Sequence, residues 1–114
     1  MSIPVPLGDL PAQLERFGFT PYLVTVAPDS TPHAASVRVV WQDSLLMAGA
    51  GRQTASNIEA NDTVALLWPA KQPGQHALIV DGWADVRSFP HGLFVLIQPS
   101  KAVLHVTVPV GGAV

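Results

Sequence analysis

Arg52, Thr54 and Ser56 stand at alternate positions directly after Gly51. A guanidinium and two hydroxyls there open a helical pattern that runs from Thr54 to Ala60. The start of a helix leaves backbone N–H groups without partners, and its dipole favours negative charge. Together these donors suit a phosphate. Gln53 sits among them and is counted as a further binding residue. Gly49-Ala50-Gly51 just before them reads as a tight turn that lets backbone approach a ligand. The plain alternatives are a solvated Arg52 and hydroxyls that only cap the helix.

Ser36 and Arg38 form a second set. Strand alternation puts both on one face, with Val37 and Val39 on the other. An arginine buried in an apolar strand needs a partner. An interface carboxylate such as Asp81 or Asp85, or an anionic ligand, would serve.

The other residue types capable of chemistry supply less. His33, His76, His91 and His105 show no paired spacing of the kind zinc requires, so no metal site is assigned. None of them comes with an evident base or orienting group, so no catalytic residue is assigned. Trp41, Trp68 and Trp83 could stack on a flat ring, but packing in a core or interface is their commoner use. No nucleophile elbow, phosphate-binding P-loop or dinucleotide fingerprint occurs.

The elements that must position these residues are short. Gly8 to Gly18 reads as a helix with Asp9 as its N-cap and Pro11 in its first turn. Tyr22–Ala27 and His33–Trp41 read as strands joined by a turn at Pro28–Pro32. Leu45–Ala48, Thr63–Trp68, Ala77–Val86, Leu93–Ile97 and Ala102–Val108 follow as strands, and Gly82 marks a bulge or a close approach. This pattern implies a mainly β chain, a closed or partly closed antiparallel barrel with two short helices. One domain is expected: an N-terminal arm and helix at 1–19, a barrel at 20–108 and a tail at 109–114 that frays.

Composition narrows the class. The chain has 114 residues, 48% hydrophobic and only 12% charged. So small a domain cannot hide that much apolar side chain alone, which implies a homodimer. A net charge of −2 with scattered cations argues against nucleic-acid binding. No long apolar run suggests a membrane span, and the N-terminus does not read as a secretory signal, so a cytoplasmic protein is expected. With no cysteine, disulfides and thiolate metal sites are excluded.

Three stretches, taken in order, resemble the pyridoxamine 5′-phosphate oxidase-like family of FMN-binding split barrels. They are the hairpin tip Asp29-Ser30-Thr31-Pro32-His33 leading to Trp41, the run Gly51-Arg52 through Asn57-Ile58-Glu59 to Leu66-Leu67-Trp68-Pro69, and Ile79-Val80-Asp81-Gly82-Trp83-Ala84. The closing Pro99–His105 is similar to the family's last barrel strand. The resemblance implies a Greek-key split barrel, a homodimer, and FMN in a groove between subunits with an oxidoreductase role. It also implies a phosphate held by Arg52, Thr54, Ser56, Ser36 and Arg38. Many members carry an Arg-Lys pair where this chain has Gln53 and Thr54, and some carry cations at the positions of Ala35 and Val40. A deazaflavin (F420) or haem in place of FMN, or a non-catalytic barrel without flavin, therefore stand as alternatives. The substrate is not readable.

Overall fold

Residues that alternate in burial set the strands of this chain, and the computed structural model describes residues 2–107. The elements run β1 (Ser2–Val5), a 3-10 turn (Leu7–Asp9), α1 (Leu10–Phe17), β2 (Tyr22–Val26), β3 (Pro32–Ser36), β4 (Val39–Gln42) and β5 (Leu45–Ala50). Then come α2 (Arg52–Ala60), β6 (Thr63–Trp68), β7 (Ala77–Phe89) and β8 (Gly92–His105). In β6, Val64, Leu66 and Trp68 point inward; in β7, Leu78, Val80, Gly82 and Ala84 do. That period of two buries one face of each strand.

The eight strands form one antiparallel sheet in the order β3-β2-β6-β7-β8-β5-β4, with β1 added on β8. β6, β7 and β8 follow one another, and β5 returns beside β8, which is a Greek-key arrangement. The sheet closes because β3 and β4 are one bent path: β3 pairs with β2, and β4 pairs with β5. At the bend, the Val37 N–H donates to the Pro21 carbonyl at 3.0 Å and the Val39 N–H to the Phe19 carbonyl at 2.8 Å. The ring therefore runs β2, β3/β4, β5, β8, β7, β6 and back to β2. This is a split β-barrel, mainly β, with two short helices.

The helices close opposite ends. α2 leads through Asn61-Asp62 into the first residue of β6, and Trp68 at the other end of β6 hydrogen-bonds Gly18, the C-cap of α1. Leu10 and Leu14 of α1 join the core with Leu23, Leu46, Leu66 and Ile97.

Several boundaries differ from the sequence expectation. His33–Trp41 is two strands, because the chain leaves β2 for β5 at Val37-Arg38. Gly49 and Ala50 do not break β5; they pair with Phe94 and Leu93. Leu93–Ile97 and the strand after it are one strand, β8, carried through Pro99 by a bulge. Asp81 pairs with Lys101 and Gly82 with Pro99, so Ser100 is the extra residue, and its hydroxyl donates to the Asp81 carbonyl at 3.2 Å. Proline has no N–H to offer a ladder, and a bulge removes the need for one. Gly82 is the close approach that its type suggested: a Cβ there would lie 2.5 Å from the Gln98 carbonyl oxygen.

Within the expected N-terminal arm, Ser2–Val5 is a strand paired with His105–Ala102. Pro4 is tolerated because β1 pairs on one side only. Asp9 does occupy the N-cap of α1, but its side chain makes no capping bond, since the preceding 3-10 turn already holds it in a helical conformation. The expected tail at 109–114, and Val108 at the end of the last strand, lie outside the described residues.

Candidate functional site

β5 ends at Ala50, and Gly51 is the N-cap of α2 in an extended conformation. A glycine brings no side chain to cap the helix, and no side-chain capping bond is made. The first helical bond is Ala55 N–H to the Gly51 carbonyl, 3.0 Å. The N–H groups of Arg52, Gln53 and Thr54 therefore have no helical acceptor, and among the described residues no other backbone acceptor takes them. Three uncapped donors at a positive dipole end form an anion-compatible surface.

The side chains of this turn divide by helical geometry. Thr54, Ala55, Asn57 and Ile58 are buried, while Arg52, Gln53 and Ser56 are exposed. Arg52 and Ser56, four residues apart, share the outer face. Arg52 makes no side-chain hydrogen bond or ion pair among the described residues, so its guanidinium is free. Thr54 is 2% exposed, and its hydroxyl makes no hydrogen bond among the described residues. No fully buried side-chain nitrogen or oxygen among them lacks a partner. The Thr54 hydroxyl therefore keeps a sliver of accessible surface at the helix start.

Gln53 is engaged differently. Its Nε2 donates to Asn57 Oδ1 at 2.8 Å, and Asn57 Nδ2 donates to Thr25 Oγ1 at 3.0 Å. Asn57 and Thr25 are both fully buried. This relay ties α2 to β2, and the sequence reading did not find it. Its only signal was an asparagine next to Ile58 and four residues from Gln53, the spacing that lets two helical side chains meet.

Ser36 and Arg38 are both exposed, and Val37 and Val39 turn inward, so the expected alternation holds across the bend. Arg38 is not the buried cation that its apolar strand suggested. It needs no carboxylate, and Asp85 is ion-paired with Arg87. Arg38 lines a groove of about 400 Å³ with Glu15, Phe19, Val40 and Trp41.

Topology relates the two sets. The β4–β5 ladder stops at Val39↔Ala48, although β5 runs on to Ala50. Arg38 directly precedes that last pair, and Arg52 follows the end of β5 on the antiparallel strand. Ser36 and Arg38 thus border the gap beside which α2 begins. The groove around Arg38 lies toward α1, and Arg52 is not among the residues lining it.

The histidines are dispersed. His33 lies in β3 opposite Thr25, His91 in the β7–β8 turn and His76 in the loop before β7. His105 Nδ1 is 3.3 Å from Ser2 Oγ. Among the described residues no group of three His, Asp or Glu side chains is placed to hold a metal ion. Trp68 is buried, Trp41 packs against the core and Trp83 is 54% exposed. No helix among the described residues is long and apolar enough to cross a membrane.

Ring closure through a bent strand, a Greek key and two end-capping helices define a split β-barrel. Solved structures of this fold superpose on the chain. An F420 reductase is 22% identical, covering 74% of this chain and 88% of its own, with a TM-score of 0.63. A Clostridium acetobutylicum protein related to general stress protein 26, of the pyridoxinephosphate oxidase family, is 8% identical, covers 92% and 93%, and has a TM-score of 0.70. The FAD-binding protein of Mycobacterium smegmatis is 15% identical, covers 92% and 99%, and has a TM-score of 0.64. At these identities the likeness is one of fold. No protein-family model matches the chain, and no curated protein sequence matches it.

Proposed function

We propose that this chain is a flavin-binding split barrel that works as a homodimer and takes FMN, with a deazaflavin as the nearest substitute, in an oxidoreductase role. The observation that carries the reading is the uncapped start of α2, where three N–H groups have no backbone acceptor and the exposed Arg52 guanidinium is free. Those donors fit a phosphate monoester. Arg52 offers a bidentate fork, and Ser56 adds a hydroxyl one turn on. Ser36 and Arg38, exposed at the bend of β3 and β4, are counted as further donors for the same ligand. Gln53 contributes its backbone N–H, since its side-chain amide is given to Asn57. Two structural neighbours, an F420 reductase and an FAD-binding protein, support a flavin or deazaflavin ligand.

When bound, a flavin supplies hydride chemistry. The chain's own residues then have two tasks: to grip the phosphate and to exclude water from a flat groove. Exposed Phe19 and Val40, which line one groove with Trp41, give apolar surface that a second subunit would cover.

A second reading is a barrel that has lost flavin or binds haem instead. It is favoured by the neutral Ala35 and Val40 and by the commitment of Gln53 to Asn57. Titration of FMN into the apoprotein, followed by flavin fluorescence and melting temperature, separates the two. Saturable quenching with a rise in melting temperature supports the first reading, because a ligand of the native state stabilises it. No signal with FMN or with a deazaflavin selects the second.

A further inference from the structure

We propose that Asn57 is a positioning residue that sets the preference of the α2 start for phosphorylated over unphosphorylated flavin; the inference rests on the flavin-binding reading above.

Asn57 is fully buried, yet it is polar, and it is bonded on both sides of its amide. A buried amide left unpaired is costly, so this side chain has one orientation that satisfies it. Its Nδ2 end fixes α2 to Thr25 in β2, at the core. Its Oδ1 end reaches back one helical turn to Gln53. The first turn of α2 is thereby held by a core strand and not only by the chain that enters it. That entry leaves the β5 ladder at Ala50, and Gly51 after it provides no capping side chain. Without the relay, backbone and the buried contacts of Thr54, Ala55 and Ile58 would alone orient the N–H groups of 52–54.

Charge-assisted hydrogen bonds are steep in angle and distance, whereas stacking on a flat ring tolerates small shifts. Loss of the relay therefore weakens the phosphate grip more than the ring contacts. Gln53 is drawn toward Asn57, so its side-chain amide is spent on the relay and its backbone N–H is left for the anion.

The experiment compares FMN with riboflavin, which differ by the phosphate alone. Dissociation constants for both are measured by fluorescence quenching on the wild type, Asn57→Leu and Thr25→Val, each checked for a cooperative melt. The wild type is expected to prefer FMN by about tenfold or more, the scale of one or two charge-assisted bonds. Asn57→Leu is expected to cut that preference by about fivefold or more, with riboflavin affinity kept within about twofold. Thr25→Val removes the acceptor while leaving Asn57 in place, and is expected to act in the same direction. It also decides the matter if Asn57→Leu does not fold.

Adding Arg52→Ala gives a further readout. Its loss of FMN affinity is expected to be smaller in the Thr25→Val background than in the wild type, because a misplaced grip has less to lose. An unchanged FMN-to-riboflavin ratio in a folded variant overturns the role of Asn57 and leaves the flavin reading intact. A wild type that binds neither compound overturns both.

Discussion

The indole Nε1 of Trp68 donates to the carbonyl oxygen of Gly18 at 2.9 Å, tying the last residue of β6 to the C-cap of α1. Lys71 Nζ donates to the Arg16 carbonyl beside it at 2.6 Å. The final carbonyls of a helix have no partners within it, and these two side chains supply them. Trp68→Phe keeps most of the packing and deletes the donor. We expect a loss of about 1–3 kcal/mol, the range for a polar group left unsatisfied. Urea unfolding checks it: the midpoint should fall with the slope unchanged.

Gly82 is where β7 touches the bulge of β8. A Cβ at this position would lie 2.5 Å from the Gln98 carbonyl oxygen and 3.2 Å from the Ile97 side chain. The nearest neighbour is backbone, which cannot swing away. Gly82→Ala is expected to cost about 2–3 kcal/mol, in the overpacking range. Gly51→Ala is the control for stability, since a Cβ there meets nothing within 4 Å and the φ of −75° suits any residue. Equal melting temperatures for the two variants would contradict the close approach.

Arg52 is exposed and unpaired among the described residues, so its removal should leave folding alone. Arg52→Ala is expected to weaken FMN binding by about tenfold or more, the worth of a hydrogen bond between charged groups. Riboflavin binding should change little. An Arg52→Ala protein with full FMN affinity would remove Arg52 from the proposed phosphate grip.

Val40 is 53% exposed and shares a groove with Phe19 and Trp41. If a second copy of the chain covers this surface, Val40→Asp places an uncompensated charge in a dry contact. Light scattering coupled to size exclusion should then show the mass fall from that of a dimer to that of a single chain. A wild type that is monomeric at micromolar concentration would contradict the proposed dimer directly.

Asp29 at the β2–β3 turn is a pH probe of that hairpin. The Thr31 hydroxyl first, and then the Thr31 N–H, which lies 3.0 Å from Asp29 Oδ1, hold its carboxyl below the ordinary value of 3.8. A lowered folded pKa means that the ionised form is favoured by folding. Its contribution is present above 3.8 and is lost as pH falls through the lower folded value. Asp29→Ala should therefore lower the melting temperature slightly at neutral pH and have no effect once the carboxyl is protonated. Melting curves from pH 7 down to about 2 test the sign, and the effect is small because the group is fully exposed.

Most strands were legible because their burial follows a period of two. Thr63–Trp68 alternates cleanly, and both of its ends were readable, set by Asn61-Asp62 before it and Pro69 after it. Where the sequence misled, a backbone contact with a distant strand had overridden a local signal. Pro99 reads as a break, but the bulge opposite Gly82 lets β8 continue. Val37-Arg38 reads as strand interior, but the chain there changes partners from β2 to β5. Pro4 and Pro6 masked β1, which exists because β8 offers it an edge.

The candidate site shows the same division. Arg52, Thr54 and Ser56 could be named from their types and from the glycine before them, since local chemistry and helix geometry determine what such a turn can bind. Only the packed molecule decided how they divide, with Thr54 turned inward and Arg52 and Ser56 outward. Asn57 became visible only with Thr25, which is 32 positions away in the chain and 3.0 Å away in space. The exposure of Arg38 was likewise decided by the bend that carries it past the end of β5. The sequence by itself determined the periodicity, the turns and the stock of donors, because these depend on residues within a few positions of one another. Tertiary structure decided which donors are spent on the core and which remain free, because hydrogen-bond partners and burial are set by segments that meet only when the barrel closes.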